Sequence, residues 1–257
     1  MRYDVILFAD NSVGYGRMMR ALALAEAVAL AGKQALVFLD NEPPGWLRWP
    51  CPVIVGWIEP GRLDTELLIV DTDRADYMSA AKIVHHDVHL QRWRIVDSPD
   101  EAFNADLAGY IYPHFGASPI AGRPTLFGEQ FMPLRHEFGV AYELSVTHPD
   151  KRVRLGTLSY RHADTSYHPT PNGLLTADYL SRWEKLVCPP STIAYEAMCV
   201  GTPVFLHDGL PQYAHIKDAM IDAGAALDAN AINFKRATTS KVDGRGARRL
   251  VDILCGR

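Results

Sequence analysis

Short apolar runs of strand length recur along the chain, each ended by polar or turn-forming residues, with helix-length stretches between them. Residues 3–9 (Y-D-V-I-L-F-A) form the first run, and Asp10-Asn11-Ser12 end it. A glycine loop follows, Gly14-Tyr15-Gly16. Arg17-Met18-Met19-Arg20 then leads into residues 21–31, which are rich in Ala and Leu, carry almost no charge and stop at Gly32. Residues 34–39 are apolar again. Strand, glycine loop, helix and strand predict a βαβ unit and hence a parallel sheet. Ligands of such sheets gather at the carboxyl ends of the strands, where Asp10 and the glycine loop fall. The spacing is not G-x-G-x-x-G, so the dinucleotide fingerprint is not met.

Further strand-like runs lie at 53–57, 67–70, 81–84 and 107–112. Two of them end in polar clusters, Asp71-Thr72-Asp73 and His85-His86-Asp87. Such ends suit a site on the carboxyl edge of a sheet, and they are equally how ordinary strands stop. Neighbouring histidines on a strand point to opposite faces, which weighs against a metal at His85, His86, Asp87 and His89. Residues 125–138 read as the exit from a first domain, giving 1–138 and 139–257. The second domain has a strand at 152–158, a polar loop at 159–172, and a short helix and strand over 176–187. A helix over 211–224 carries Gln212 at its start, and a basic terminal helix over 244–254 can pack back on the first domain.

Residues 188–203, C-P-P-S-T-I-A-Y-E-A-M-C-V-G-T-P, carry the clearest local chemistry. They predict a loop, a helix of about two to three turns, a glycine stop at Gly201 and a strand opening at Pro203. Ser191 or Thr192 falls at the N-cap, where free N–H groups and the helix dipole suit a diphosphate. Glu196 follows one turn later, within reach of a ribose. An ordinary capped helix has the same pattern.

Composition narrows the class. The chain has 257 residues, 48% hydrophobic and 22% charged, which is globular. A net charge of −4 gives no global pull toward nucleic acid or anionic membrane. Cys51, Cys188, Cys199 and Cys255 form no CxxC pair and read as reduced thiols. No apolar stretch approaches the ~20 residues of a membrane span, and Arg2 and Asp4 flank only the short run 5–9, too short for a signal peptide, so a soluble cytoplasmic protein is expected.

Several segments, in order, resemble one family. Gly14-Tyr15-Gly16-Arg17-Met18-Met19-Arg20 with Leu22-Ala23-Leu24-Ala25 is similar to the G-x-G-H-x-x-R…L-A-L-A loop of the UDP-sugar hydrolases of pseudaminic acid biosynthesis. These are relatives of the MurG-type GT-B glycosyltransferases. Leu68-Ile69-Val70-Asp71 resembles that family's I-V-D strand. Phe127-Gly128 through Leu134-Arg135-His136-Glu137-Phe138 is similar to its G-x-x-Y-x-x-L-R-x-E-F segment. Ser191-Thr192 with Glu196, Gly201 and Pro203 matches its nucleotide-sugar motif, and Gln212 falls where the family has a donor-contacting Gln. The chain also departs from the pattern. Arg17 replaces the catalytic His and cannot act as a base near neutral pH, though it can pair with a diphosphate. Pro189-Pro190 replace a Gly-Gly, and the second domain is short by about one βαβ unit.

The resemblance implies a compact GT-B-like α/β fold, two Rossmann-like domains whose parallel sheets face a cleft. It implies a glycosyltransferase using a nucleotide-diphosphate sugar such as a UDP-sugar, with no metal and no further cofactor. Asp10 is then the candidate base, Arg17 or Arg135 the leaving-group charge, and Gly14, Gly16, Ser191, Thr192, Glu196 and Gln212 the nucleotide-sugar contacts. A nucleotide-sugar hydrolase and a non-catalytic binder are the alternatives. A small-molecule or glycan acceptor is expected, with no membrane. Duplex DNA is a further acceptor to test, because Trp46, Arg48, Trp49, Arg92, Trp93, Arg94, Lys235, Arg236, Lys241, Arg245, Arg248 and Arg249 could form a basic, aromatic track.

Overall fold

Strands β1 (Arg2–Ala9) and β4 (Asp64–Asp71) share one burial pattern: alternating at the amino end, then buried on both faces toward the carboxyl end. Strands covered on both sides need continuous apolar sequence, which V-I-L-F-A and L-L-I-V supply. The computed structural model describes residues 2–12, 15–56, 64–72, 90–101, 107–147, 155–159, 176–230 and 242–256. Among them β1 and β4 are joined by β2 (Ala35–Leu39), β3 (Val53–Val55), β5 (Gln91–Ile95), β6 (Gly109–Tyr112) and β7 (Thr125–Phe127) in a parallel sheet ordered β3-β2-β1-β4-β5-β6-β7. The order reverses between β1 and β4. A crevice opens at such a switch point, at the carboxyl ends. Asp10 lies there, its backbone N–H extending the ladder to the Asp71 carbonyl at 3.1 Å.

Helix α1 (Gly16–Leu30) returns the chain from β1 to β2. The stretch after Arg20, with Glu26 its only charge, is explained by burial on two sides. Ala21 to Ala25 pack on the sheet, while Ala247, Leu250, Val251 and Leu254 of the terminal helix join the same core. Residues 125–138 carry β7, a 3-10 turn (Glu129–Phe131) and the start of helix α2 (His136–Thr147).

A second parallel sheet, ordered β11-β10-β9-β8, consists of β8 (Leu155–Ser159), β9 (Trp183–Cys188), β10 (Val204–Leu206) and β11 (Leu227–Asp228). Three helices lie among these strands: α3 (Ala177–Ser181), α4 (Thr192–Cys199) and α5 (Ala214–Asp222). Helix α4 ends as the sequence predicts, with Gly201 at φ 73°, a conformation that suits glycine at a helix end. The terminal helix α6 (Gly246–Leu254) sits close against the first sheet's connection: a Cβ on Gly246 would lie 2.1 Å from the Met132 carbonyl oxygen.

Three sequence expectations change here. Residues 92–94 do not form an exposed basic track. They are the middle of β5, with Trp93 and Arg94 buried and the Arg94 guanidinium bonded to the Thr72 carbonyl at 2.9 and 3.2 Å. The polar sequence Q-R-W-R-I hides a central strand because Arg94 ends on a backbone acceptor. Trp46 and Trp49 pack against the α1 core rather than presenting open faces. Arg245 pairs with Glu143 and Arg249 with Asp243, while Arg248 lies 3.8 Å from Asp252 and stays largely exposed, so two of the three terminal arginines carry an acidic partner at close range. The His85-His86-Asp87 cluster, Gly14, the strand read at 81–84, Lys235, Arg236 and Lys241 lie outside the described residues.

Candidate active site at the facing strand ends

The carboxyl edges of the two sheets meet. The α4 start touches the α1 start: a Cβ on Gly16 would stand 3.4 Å from the Thr192 hydroxyl oxygen. His114, just after β6, bonds Tyr195 of α4 at 2.9 Å, and the His215 ring N–H of α5 donates to the Asp97 carbonyl at 3.0 Å. Two helix amino ends, each with free N–H groups, therefore open toward one place.

Around it lies a buried ionic network. Arg20 donates to Asp71 through Nε and Nη2, both at 2.8 Å, and to Asp97 through Nη1 at 2.8 Å. Arg17, one turn earlier on the same helix face, lies 3.5 Å from Asp10, 3.7 Å from Asp71 and 3.8 Å from Asp97. Each carboxylate follows a different strand: Asp10 β1, Asp71 the end of β4, Asp97 β5. Two arginines at a helix amino end oppose the dipole; these carboxylates offset that cost.

Burial shifts the titration of each group. It pushes Asp71 above the ordinary carboxylate range despite Arg20. It opposes the charge on Asp97 too, but Arg20, His114 and Arg17 hold that group well below the range. Burial lowers His114, against the pull of Asp97, so the ring is neutral near pH 7. A carboxylate only accepts, so His114 Nε2–H donates to Asp97 at 2.9 Å and Nδ1 accepts from the Tyr195 hydroxyl. A chain of polar contacts thus runs from Asp71 through Arg20, Asp97 and His114 to Tyr195, from one sheet to the other.

At the end of β1, Asp10 is 2% exposed. Its Oδ1 accepts from the Ser12 backbone N–H at 2.8 Å and the Ser12 hydroxyl at 2.5 Å, while its buried Oδ2 has no hydrogen-bond donor. Burial works against its charge, yet the Ser12 bonds, the Asp40 carboxyl and Arg17 keep it below the usual range. Ser12 itself is exposed. Asn11 ties this loop to the end of β2: its Nδ2 donates to the Asn41 carbonyl at 2.9 Å, and its Oδ1 accepts from the Asn41 N–H at 2.8 Å.

The predicted residues divide into separate groups. Asp10, Gly16, Arg17 and Thr192 come together. Ser191 is the N-cap of α4, extended at φ −166°, but its hydroxyl donates to the Pro189 carbonyl at 3.0 Å instead of capping the helix. Gln212 is exposed in a 3-10 turn (Pro211–Tyr213) before α5. Glu196 and Arg135 differ most from expectation. Glu196 is buried and lies 3.4 Å from Arg135, whose guanidinium also pairs with Glu137 and covers the Phe138 ring. A ribose contact at Glu196 therefore requires it to leave Arg135. Likewise, removing Glu196 changes the stability of the free protein, because Arg135 loses a buried partner.

Glu196 also predicts a pH dependence. Burial pushes its carboxyl up to about 7, only partly countered by Arg135. The unfolded chain ionises it near its ordinary value, so between there and about 7 the folded state binds the extra proton. Its contribution is thus fully present in acid and is lost as pH rises through about 7. Chemical denaturation from pH 5 to 8 should show the wild type losing stability relative to Glu196→Gln as pH rises. Parallel curves would place the Glu196 carboxyl at an ordinary value.

Asp97, His114, Tyr195 and Ser12 were not singled out from the sequence. Arg20 and Asp71 were noted only within the family resemblance and at a strand end. The signal present was the spacing of Arg17 and Arg20 at a helix start, which needs buried carboxylates nearby. Among the described residues, no group of His, Cys, Asp and Glu could hold a metal ion, and no helix is long and apolar enough to cross a membrane.

No family model matches the chain, and no curated protein matches it in sequence. Solved structures do match. A ugt transferase from Siraitia grosvenorii in complex with UDP aligns with TM-score 0.52 and 10% identity over 98% of this chain and 94% of that one. UGT89C1 of Arabidopsis thaliana aligns with TM-score 0.52 and 10% identity over 99% and 90%. The spinosyn forosaminyltransferase SpnP aligns with TM-score 0.50 and 10% identity over 100% and 91%. At this identity the likeness concerns the fold. The fold is GT-B-like: two parallel α/β sheets whose carboxyl edges face each other.

Proposed function

We propose that the protein is a GT-B-type glycosyltransferase that moves a sugar from a nucleoside-diphosphate sugar, of which a UDP-sugar is the first to test, to a hydroxyl acceptor. The observation that carries this reading is the meeting of the α1 and α4 starts beside Asp10 and Arg17 at the switch point. The fold shared with solved sugar transferases supports it. Residues 1–138 form the acceptor lobe and 139–257 the nucleotide lobe, with the terminal helix returning to the first.

In this reading the diphosphate lies at the α4 start, on the free N–H groups and the Thr192 hydroxyl, with Gly16 allowing close approach from the other lobe. Gln212 faces the sugar. Arg135 and Glu196, paired with each other, support α4 from beneath. Arg17 supplies positive charge toward the leaving group, but with its charge shared among Asp10, Asp71 and Asp97. Both Asp10 oxygens are buried, so the acceptor proton reaches it through the exposed Ser12 hydroxyl. Ser12 takes that proton as it gives its own to Asp10, the acceptor oxygen attacks the anomeric carbon, and the diphosphate departs with the bonding electron pair. Water in the acceptor's place gives hydrolysis by the same path.

Incubation with a panel of nucleotide sugars, with and without small-molecule and glycan acceptors, tests the reading by release of nucleoside diphosphate. Release that needs an acceptor is the expected result. Release without one makes the protein a hydrolase, and binding without release makes it a binder. Retention of plain or hydroxymethylated duplex DNA in a gel shift would be unexpected, since Trp93 and Arg94 are inside the sheet.

A further inference from the structure

We infer that Asp40 is a partner of Asp10, the two carboxyl groups sharing one proton at the ends of adjacent strands. For its catalytic consequence this rests on the function proposed above; for its existence it does not.

The placement comes from the backbone. β1 and β2 run parallel with Ala9 opposite Leu39, so the next residues, Asp10 and Asp40, leave the sheet side by side. The reciprocal bonds between Asn11 and Asn41 fix the following pair, at 2.9 and 2.8 Å, and prevent the two loop ends from parting. Asp10 is 2% exposed and its Oδ2 meets no donor. The register and the Asn11–Asn41 bonds set the Asp40 carboxyl beside Asp10, and a hydrogen bond from Asp40 is among the causes that hold Asp10 below its ordinary range. Two ionised carboxylates only accept and repel each other; a hydrogen bond between them requires that one carry a proton.

The surroundings assign that proton to Asp40. Asp10 receives both Ser12 bonds and faces Arg17 of α1, which keep it on the ionised side although burial opposes the charge. Beyond Arg17 stand Asp71 of β4, Asp97 after β5 and Arg20 of α1. Asp40 is half-buried at the edge of this group, its Oδ2 buried but the residue more open to solvent than Asp10. When Ser12 passes the acceptor's proton to Asp10, Asp40 can release its own. The pair then returns to a single proton without the net charge of the site changing. Asp40 is a positioning residue, acting on the acceptor only through Asp10 and Ser12.

The test is an aspartate side-chain carbon NMR titration of the full chain without substrate. In the wild type, the Asp10 and Asp40 carboxyl signals should each move in two coupled steps. In Asp40→Asn, an isosteric change that keeps a hydrogen-bond donor, Asp10 should titrate in a single step with a shifted midpoint. Asp71, also raised by burial, should be unaffected. An Asp10 signal that titrates in one step in the wild type, or identically in Asp40→Asn, overturns the inference, and the wild-type result stands whether or not the variant folds. If transfer is found, the acid limb of its pH profile should move in Asp40→Asn by the same amount as the Asp10 midpoint. Coupled titration without any turnover would retain the pair and remove the proposed function instead.

Discussion

Arg20→Met is expected to cost the protein about 3–5 kcal/mol of stability, enough to leave it largely unfolded at physiological temperature if its margin is ordinary. The Arg20 guanidinium is 4% exposed and donates to Asp71 and Asp97, which have no solvent to turn to. Met fills a similar volume, so the loss reflects charge rather than a cavity. Two buried carboxylates would remain with Arg17 at 3.7 and 3.8 Å and with the neutral His114 ring still donating to Asp97, but without the bidentate cation that offsets their charge. A partial rescue is expected too. Asp71→Asn in the Arg20→Met background removes the carboxylate that burial already disfavours, so the double variant should be more stable than the single one. Urea denaturation of the four proteins measures the coupling. A loss below about 1 kcal/mol for Arg20→Met, typical of exposed pairs, would mean the network is open to water.

The second large effect is on turnover. Asp10→Asn preserves the shape of the side chain and an acceptor oxygen for Ser12, but it cannot take a proton. Turnover should fall about 10²–10⁴-fold, with donor affinity kept, as when a proton-accepting group is lost. Arg17 stays in place because Asp71 and Asp97 still hold it. Ser12→Ala should reproduce most of the loss, since it removes the hydroxyl that joins solvent to the buried Asp10 carboxylate. Steady-state kinetics with whichever donor and acceptor give release in the nucleotide-sugar panel provide the measurement. An Asp10→Asn enzyme with near wild-type turnover would move the proton acceptor elsewhere.

Much of the fold was legible because strand and helix periods were strong. The βαβ unit, the 67–70 strand, the α4 helix with its Gly201 stop and the terminal helix all follow from apolar runs and their punctuation. β5 was not legible. Its arginines read as surface, and only the Thr72 carbonyl waiting inside makes Arg94 acceptable there. The site was legible in part for a similar reason. Asp10, Arg17 and Thr192 could be proposed because each stands at a strand end or helix start. Asp97 and His114 also follow strands, but their importance depends on Arg20, Tyr195 and His215, which only the meeting of the two sheets brings near. Glu196 was legible in position but not in partner. Helical spacing put it on the face of Thr192, and it could not reveal that Arg135, 61 residues earlier, lies 3.4 Å from its buried carboxylate.

The central claim is that the α4 start holds the diphosphate of a nucleotide sugar. Isothermal calorimetry of UDP and other nucleoside diphosphates against the wild type and Ser191→Asp tests it most directly. Asp is a preferred N-cap residue and can accept from the α4 N–H groups, in place of the Ser191 hydroxyl bond to the Pro189 carbonyl that it gives up; urea denaturation of the variant checks that the fold is kept. The new carboxylate, however, sits where the diphosphate must lie and repels it. Saturable binding to the wild type, weakened about tenfold or more in Ser191→Asp, is the predicted result. Equal affinity in the two proteins would contradict the account.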